Sequence, residues 1–245
     1  MGSPQISEPA ICRFRSRMLE WYGQHGRSFP WRKRSASNYK KIIAEVLLQR
    51  TRAETVAQFF PRFLTRYPSW SQLATANEDE LIALIRPVGL WRRRSKSLTS
   101  LATEMAKRNG RFPKDRKEIE GLPGVGQYIA NSILLLCHNS PEPLLDANMA
   151  RVLERYFGPR KLSDIRYDPY LQRLGKMVVD CPDAVVLNWA ILDFAARTCS
   201  IRFPECSQCP LASGCRFATE SRVKPSEVTP ESQEDETWNK PSSLT

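Results

Sequence analysis

Four cysteines, Cys199, Cys206, Cys209 and Cys215, fall within seventeen residues in the pattern C-x6-C-x2-C-x5-C. The other three of the chain's seven, Cys12, Cys137 and Cys181, are scattered and read as small buried residues. Crowding of this kind suits one inorganic centre that takes four thiolates. Three ligand sets compete for it. Structural zinc usually pairs two tight hooks, and only Cys206 and Cys209 form one here. Disulfides need an oxidising compartment, and the first residues carry no apolar signal-peptide core. The asymmetric loop favours a wider [4Fe–4S] cluster, with zinc second and disulfides third.

A second stretch, Leu122-Pro123-Gly124-Val125-Gly126-Gln127-Tyr128-Ile129-Ala130, has turn chemistry running straight into a helix. Gly124 and Gly126 permit a tight turn with unusual backbone angles, and Val125 between them can anchor it on the core. The first N–H groups of a helix lack intrahelical partners, so the helix start after Gly126 can hold a phosphate. The net charge of +11 points to a polyanionic partner. Residues 219–245 hold six acidic and three basic side chains, which leaves +14 on the remainder. A plain helix–helix turn on a basic surface is the competing reading of the same residues.

LPGVGQYIA (122–130) resembles the helix–hairpin–helix of the endonuclease III superfamily of DNA glycosylases. PEPLLDANMARVLERYFG (141–158) is similar to the family's Gly/Pro-rich loop and catalytic aspartate, with Asp146 at the acidic position, and the cysteine spacing is that of the family's cluster. These motifs stand in family order over roughly residues 20–218. AEVLLQRT (44–51) resembles the branch containing adenine glycosylase and the mismatch thymine glycosylases, which carry a glutamate at the position of Glu45.

The resemblance implies an enzyme that flips a nucleotide out of the duplex and breaks its C1′–N bond. Asp146 then stabilises the oxocarbenium-like sugar or handles the attacking water. From sequence alone the same residue reads as a helix N-cap. With Asp146 in the site, Asn148 becomes the cap or a partner. Glu45, at the edge of an apolar helix face, donates to the leaving base or holds a water. Tyr128 stands where bifunctional members carry a Schiff-base lysine, and tyrosine cannot form that adduct, so a monofunctional enzyme is expected. Gln49, Arg50 and Leu90 lie where family members insert wedge residues. Leu122, Gly124, Val125 and Gly126 form the hairpin that grips DNA. Arg92, Arg93, Arg94 and Lys96 read as including phosphate contacts, and Arg197, Arg202 and Arg216 flank a cluster that shapes a DNA-binding loop.

The substrate implied is double-stranded DNA with a mispaired or damaged base, thymine or uracil opposite guanine being favoured. Adenine opposite guanine or oxidised guanine is the alternative. It is disfavoured by Tyr128 and by the thirty residues after Cys215, where adenine glycosylases usually add a domain. A non-catalytic, metal-containing DNA-binding protein is the second alternative.

Apolar residues recur at helical spacing along most of the chain. Helices are expected over 39–66 with a break near 50–53, and over 78–84 with Asn77 as N-cap. Further helices are expected over 95–108 (closed by Asn109-Gly110), 116–120, 127–137, 148–156, 170–179 and 182–196. The expected fold class is all-α: two helical lobes with a helix–hairpin–helix and a C-terminal [4Fe–4S] loop. A six-helix lobe spans 38–139, a cluster lobe combines 1–37 with 140–218, and 219–245 reads as a disordered tail. No apolar run approaches a membrane span, and a monomeric, intracellular protein is expected.

Overall fold

The computed structural model describes residues 6–223, and every regular element among them is helical. Twelve α-helices follow one another: α1 (Glu8–His25), α2 (Asn38–Leu48), α3 (Ala53–Arg66), α4 (Trp70–Ala74), α5 (Glu78–Ile85), α6 (Trp91–Lys107), α7 (Arg116–Glu120), α8 (Gln127–His138), α9 (Ala147–Phe157), α10 (Pro169–Val179), α11 (Ala184–Arg197) and α12 (Arg216–Val223). Short 3-10 turns cover Pro30–Arg32, Arg86–Val88 and Ala212–Gly214.

Helix ends follow local chemistry. Ser37, Ser69, Asn77, Asp115 and Asp168 each accept a backbone N–H from the first turn of the helix they precede, as short polar caps do. The break expected near 50–53 lies between α2 and α3. α6 starts at Trp91, four residues earlier than its pattern suggested, because Leu90 turns into the left-handed region (φ 50°) and its carbonyl accepts the first helical bond from Arg94. Asn109 and Gly110, both at positive φ, follow α6, as expected.

Helices α2 to α8 pack mainly on one another, with α4 against α6 and α2 against α8. α1 packs on α11, and α9 on α10, α11 and α12. Aromatic edges lock both sets. Trp70 meets Tyr39 and Phe112, while Phe14 meets Tyr156 and Phe157. α11 also touches α8, and the buried side chains of both sets form one continuous core.

Two expectations need correcting. Cys12 is exposed, and Cys137 and Cys181 are only half-buried. All seven cysteines are free. The tail does not begin at 219, because α12 continues to Val223, with Ala218 buried and Arg216 paired to Glu220 one turn on. The rest of that tail, 224–245, lies outside the described residues. Among the described residues no helix is long and apolar enough to cross a membrane.

Candidate active site

Glu45 is carried on α2 between Ala44 and Val46, and its residue is only 4% exposed. Tyr128, in the first turn of α8, donates its hydroxyl to Glu45 Oε2 at 2.9 Å. Burial pushes Glu45 up to about 7, and the negative charge of Asp146 adds to the push; the Tyr128 hydroxyl and the Arg32 guanidinium pull the other way. Tyr128 is itself pushed well up by burial and by the charges of Glu45 and Asp146. It therefore remains a protonated donor. Three side chains from three elements, Glu45, Tyr128 and Asp146, thus share one electrostatic environment.

Asp146 is half-buried and is the N-cap of α9. Its Oδ1 accepts the backbone N–H groups of Asn148 (2.9 Å) and Met149 (2.8 Å). Its Oδ2 accepts the side-chain amide of Asn148 at 2.8 Å. Asp146 is thus the cap of α9, and of the two roles expected of Asn148, cap or partner, it takes the second, holding Asp146 Oδ2. Both carboxylate oxygens are fixed from one side by short bonds.

The loop that delivers Asp146 contains Pro141 and Pro143, which lack backbone donors. Buried amides from neighbouring helices secure it. Asn188 of α11 accepts Leu144 N–H at 2.7 Å and donates to the Glu142 carbonyl at 3.2 Å. Asn131 of α8 donates to the Pro143 carbonyl at 2.8 Å, and its own oxygen accepts from Arg116 at 3.1 Å. The sequence signal for both was available: a single Asn inside an apolar helical stretch, a polar group that needs partners when buried.

Arg32 was missed too. Its guanidinium holds fully buried Asp193 with bonds of 2.8 and 3.1 Å, and Arg27 joins the same carboxylate from its side chain and backbone N–H, each at 2.8 Å. No periodicity or motif marks these arginines, because the partner lies more than 160 residues away.

The hairpin joins α7 to α8. Leu122 and Val125 are buried, with Val125 N–H bonded to the Leu122 carbonyl at 3.1 Å. Gly124 has φ 74°, and a Cβ there would come within 3.1 Å of the Ser97 Cβ. Gly126 has ordinary extended angles (φ −95°, ψ 179°), so the expectation of an unusual backbone angle holds for Gly124 alone. A Cβ on Gly126 would meet nothing, and no side chain caps the N–H groups that follow it. An anion can therefore approach those N–H groups directly.

Gln49 and Arg50 are exposed after α2, and Leu90 is 53% exposed before α6. Arg92, Arg93 and Lys96 are exposed, as phosphate contacts require. Arg94 is not. It is 5% exposed and donates inward to the carbonyls of Leu47 (2.6 Å) and Gln49 (2.7 Å), so it is not among the phosphate contacts that this run was expected to include.

Cys199, Cys206, Cys209 and Cys215 line one cavity together with Val152, Phe194, Leu211 and Arg155. Among the described residues no three His, Cys, Asp or Glu converge as a single-ion site. Two arginines of α9 serve this loop. Arg155 donates to Cys199 Sγ at 3.2 Å and to the Ser200 carbonyl at 2.6 Å, and Arg151 donates to the Cys199 carbonyl at 3.0 Å and to Asn148 Oδ1 at 3.2 Å. Of those expected to flank it, Arg197 binds the His25 carbonyl and Arg216 pairs with Glu220, while Arg202 is exposed.

A buried glutamate, a hairpin open to phosphate and an aspartate that caps α9 follow one another along the chain, and residues 43–176 match the model of the HhH-GPD superfamily base excision DNA repair proteins. The chain belongs to that superfamily. It is 40% identical to a thymine-DNA glycosylase of Aeropyrum pernix, over 86% of this chain and 97% of that protein. It is 29% identical to an adenine DNA glycosylase of Homo sapiens, over 84% of this chain but 39% of that protein. Its fold superposes on a thermostable thymine-DNA glycosylase with a TM-score of 0.79 at 29% identity, covering 86% of this chain and 98% of that structure. As a member of the superfamily it is a DNA glycosylase, an enzyme that cleaves N-glycosidic bonds in DNA.

Proposed function

We propose that this enzyme removes thymine or uracil mispaired with guanine, by hydrolysis and without a covalent amine adduct. The observation that carries the mechanism is the convergence of Glu45, Tyr128 and Asp146. Asp146 faces the deoxyribose, where its fixed charge stabilises the positive C1′ as the bond to the base breaks. Glu45, poised at about 7, supplies a proton to the departing base in its protonated form. Tyr128 holds Glu45 and offers no amine to C1′. Water adds to C1′ and loses its proton to Asp146, leaving an abasic site and the free base.

The choice of pyrimidine rests on the relatives. A second, from Pyrobaculum aerophilum, named as a thymine/uracil-DNA glycosylase, is 39% identical over 91% of its length. The adenine reading is the second one, supported by 29% identity to the human adenine enzyme.

The four cysteines fit a [4Fe–4S] cluster. All four line one cavity, and their C-x6-C-x2-C-x5-C spacing suits a multi-iron core better than the paired tight hooks of structural zinc. Arg155 beside Cys199 Sγ would offset part of the negative charge of the ligated cluster. When bound, the cluster supplies structure to the loop 199–206, since hydrolysis needs no electrons.

The test is single-turnover base release from otherwise identical duplexes carrying T·G, U·G, A·G and A opposite oxidised G. Release from the first two is expected. Release confined to the adenine duplexes would replace this reading with the alternative.

A further inference from the structure

Two loops that carry exposed wedge candidates are tied together from below. Arg50, after α2, and Leu90, before α6, both sit in the left-handed region with φ 57° and φ 50°. Neither is glycine, so each conformation is disfavoured unless its surroundings impose it. Arg94 supplies part of that imposition. Its guanidinium binds the Leu47 carbonyl at the end of α2 at 2.6 Å and the Gln49 carbonyl at 2.7 Å, and it reaches Thr51 Oγ1 at 3.3 Å. Thr51 Oγ1 in turn donates to the Val88 carbonyl, two residues before Leu90, at 2.8 Å. The Arg94 N–H bonds the Leu90 carbonyl at 2.9 Å, closing the ring. One buried residue thereby touches both loops, through its side chain on one and its backbone on the other.

We infer that Arg94, with Thr51, is a positioning residue for nucleotide flipping: a strap that sets the spacing between the Gln49–Arg50 tip and the Leu90 tip. Flipping leaves a gap in the base stack, and filling it demands side chains held at fixed separation while the DNA resists. A planar guanidinium suits the task because it holds two carbonyls at once in a rigid geometry. Lysine at 94 would offer a point charge without that fork. This inference rests on the proposed wedge role of Gln49, Arg50 and Leu90.

The test places 2-aminopurine beside a T·G mispair and follows its fluorescence as full-length protein binds. Unstacking raises the signal whether or not a base is released, and the same probe beside an A·G mispair supplies the readout where the T·G duplex gives no rise with wild-type protein. Wild-type protein is expected to give the rise, and Arg94→Lys to lose most of it. Base release by Arg94→Lys falls by about tenfold or more, the order expected when strained conformations are no longer held. If Arg94→Lys fails to fold, Thr51→Val decides, since it removes only the hydroxyl link between the loops. A fluorescence rise equal to wild type in a folded Arg94→Lys or Thr51→Val protein would overturn the inference.

Discussion

Tyr128 donates its hydroxyl to Glu45 Oε2 at 2.9 Å, and that bond favours the carboxylate form of Glu45 against the larger effect of burial. Tyr128→Phe removes the donor. Glu45 then titrates above its present position near 7, so the protonated form persists to higher pH. The alkaline fall in single-turnover base release is expected to move upward in Tyr128→Phe. A limb that stays put, or moves down, would contradict Glu45 as the proton donor.

Glu45 also costs stability in a pH-dependent way. Its pKa is higher in the folded state than the 4.5 expected when unfolded. Below about 4.5 both states hold the proton and there is no cost. Stability is lost as pH rises from there through about 7, and the loss is then constant, at roughly 3 kcal/mol. Glu45→Gln is therefore expected to be more resistant to urea than wild type at pH 8 and about equal to it near pH 4. It is also expected to release base about a hundredfold more slowly. Equal urea midpoints for the two proteins at pH 8 would count against the buried carboxylate.

Asp193 receives both Arg27 and Arg32 with no exposure to solvent. Replacing it leaves two cations facing a hole. Asp193→Ala is expected to destabilise by about 3–5 kcal/mol, read from urea unfolding. A loss below about 1 kcal/mol, the worth of an exposed pair, would mean the cluster contributes little.

The cysteine cavity is expected to yield a brown protein containing about four irons. Cys206→Ser should lose the colour and bind duplex DNA more weakly, because the loop after Cys199 loses an anchor. A colourless wild-type protein with one zinc would contradict the cluster.

Much of this could be read from residue order, and the physical reasons for the rest are specific. Asn77 and the Asn109-Gly110 pair marked helix ends because local capping chemistry decides them. Asp146 was legible as a cap, and its two oxygens in fact serve Met149 N–H and the Asn148 amide at once. Asn148 was left open between cap and partner because both residues favour the cap position. Arg94 was not told apart from its neighbours because a run of cations on one helix looks uniform in sequence, whereas helical geometry turns one of the four inward. Arg32 with Asp193, and Arg155 with the cluster loop, pair across long stretches of chain, where no local pattern signals contact.

The role of Asp146 is tested most directly by single-turnover release of thymine from a T·G duplex, comparing wild type with Asp146→Asn at saturating enzyme. Asparagine caps a helix about as well as aspartate, so the variant is expected to keep its fold and urea midpoint. Its release rate is expected to fall by about a hundredfold to a thousandfold, the order seen when a preorganised charge is removed from a transition state. A folded Asp146→Asn protein that releases thymine at the wild-type rate would contradict the account.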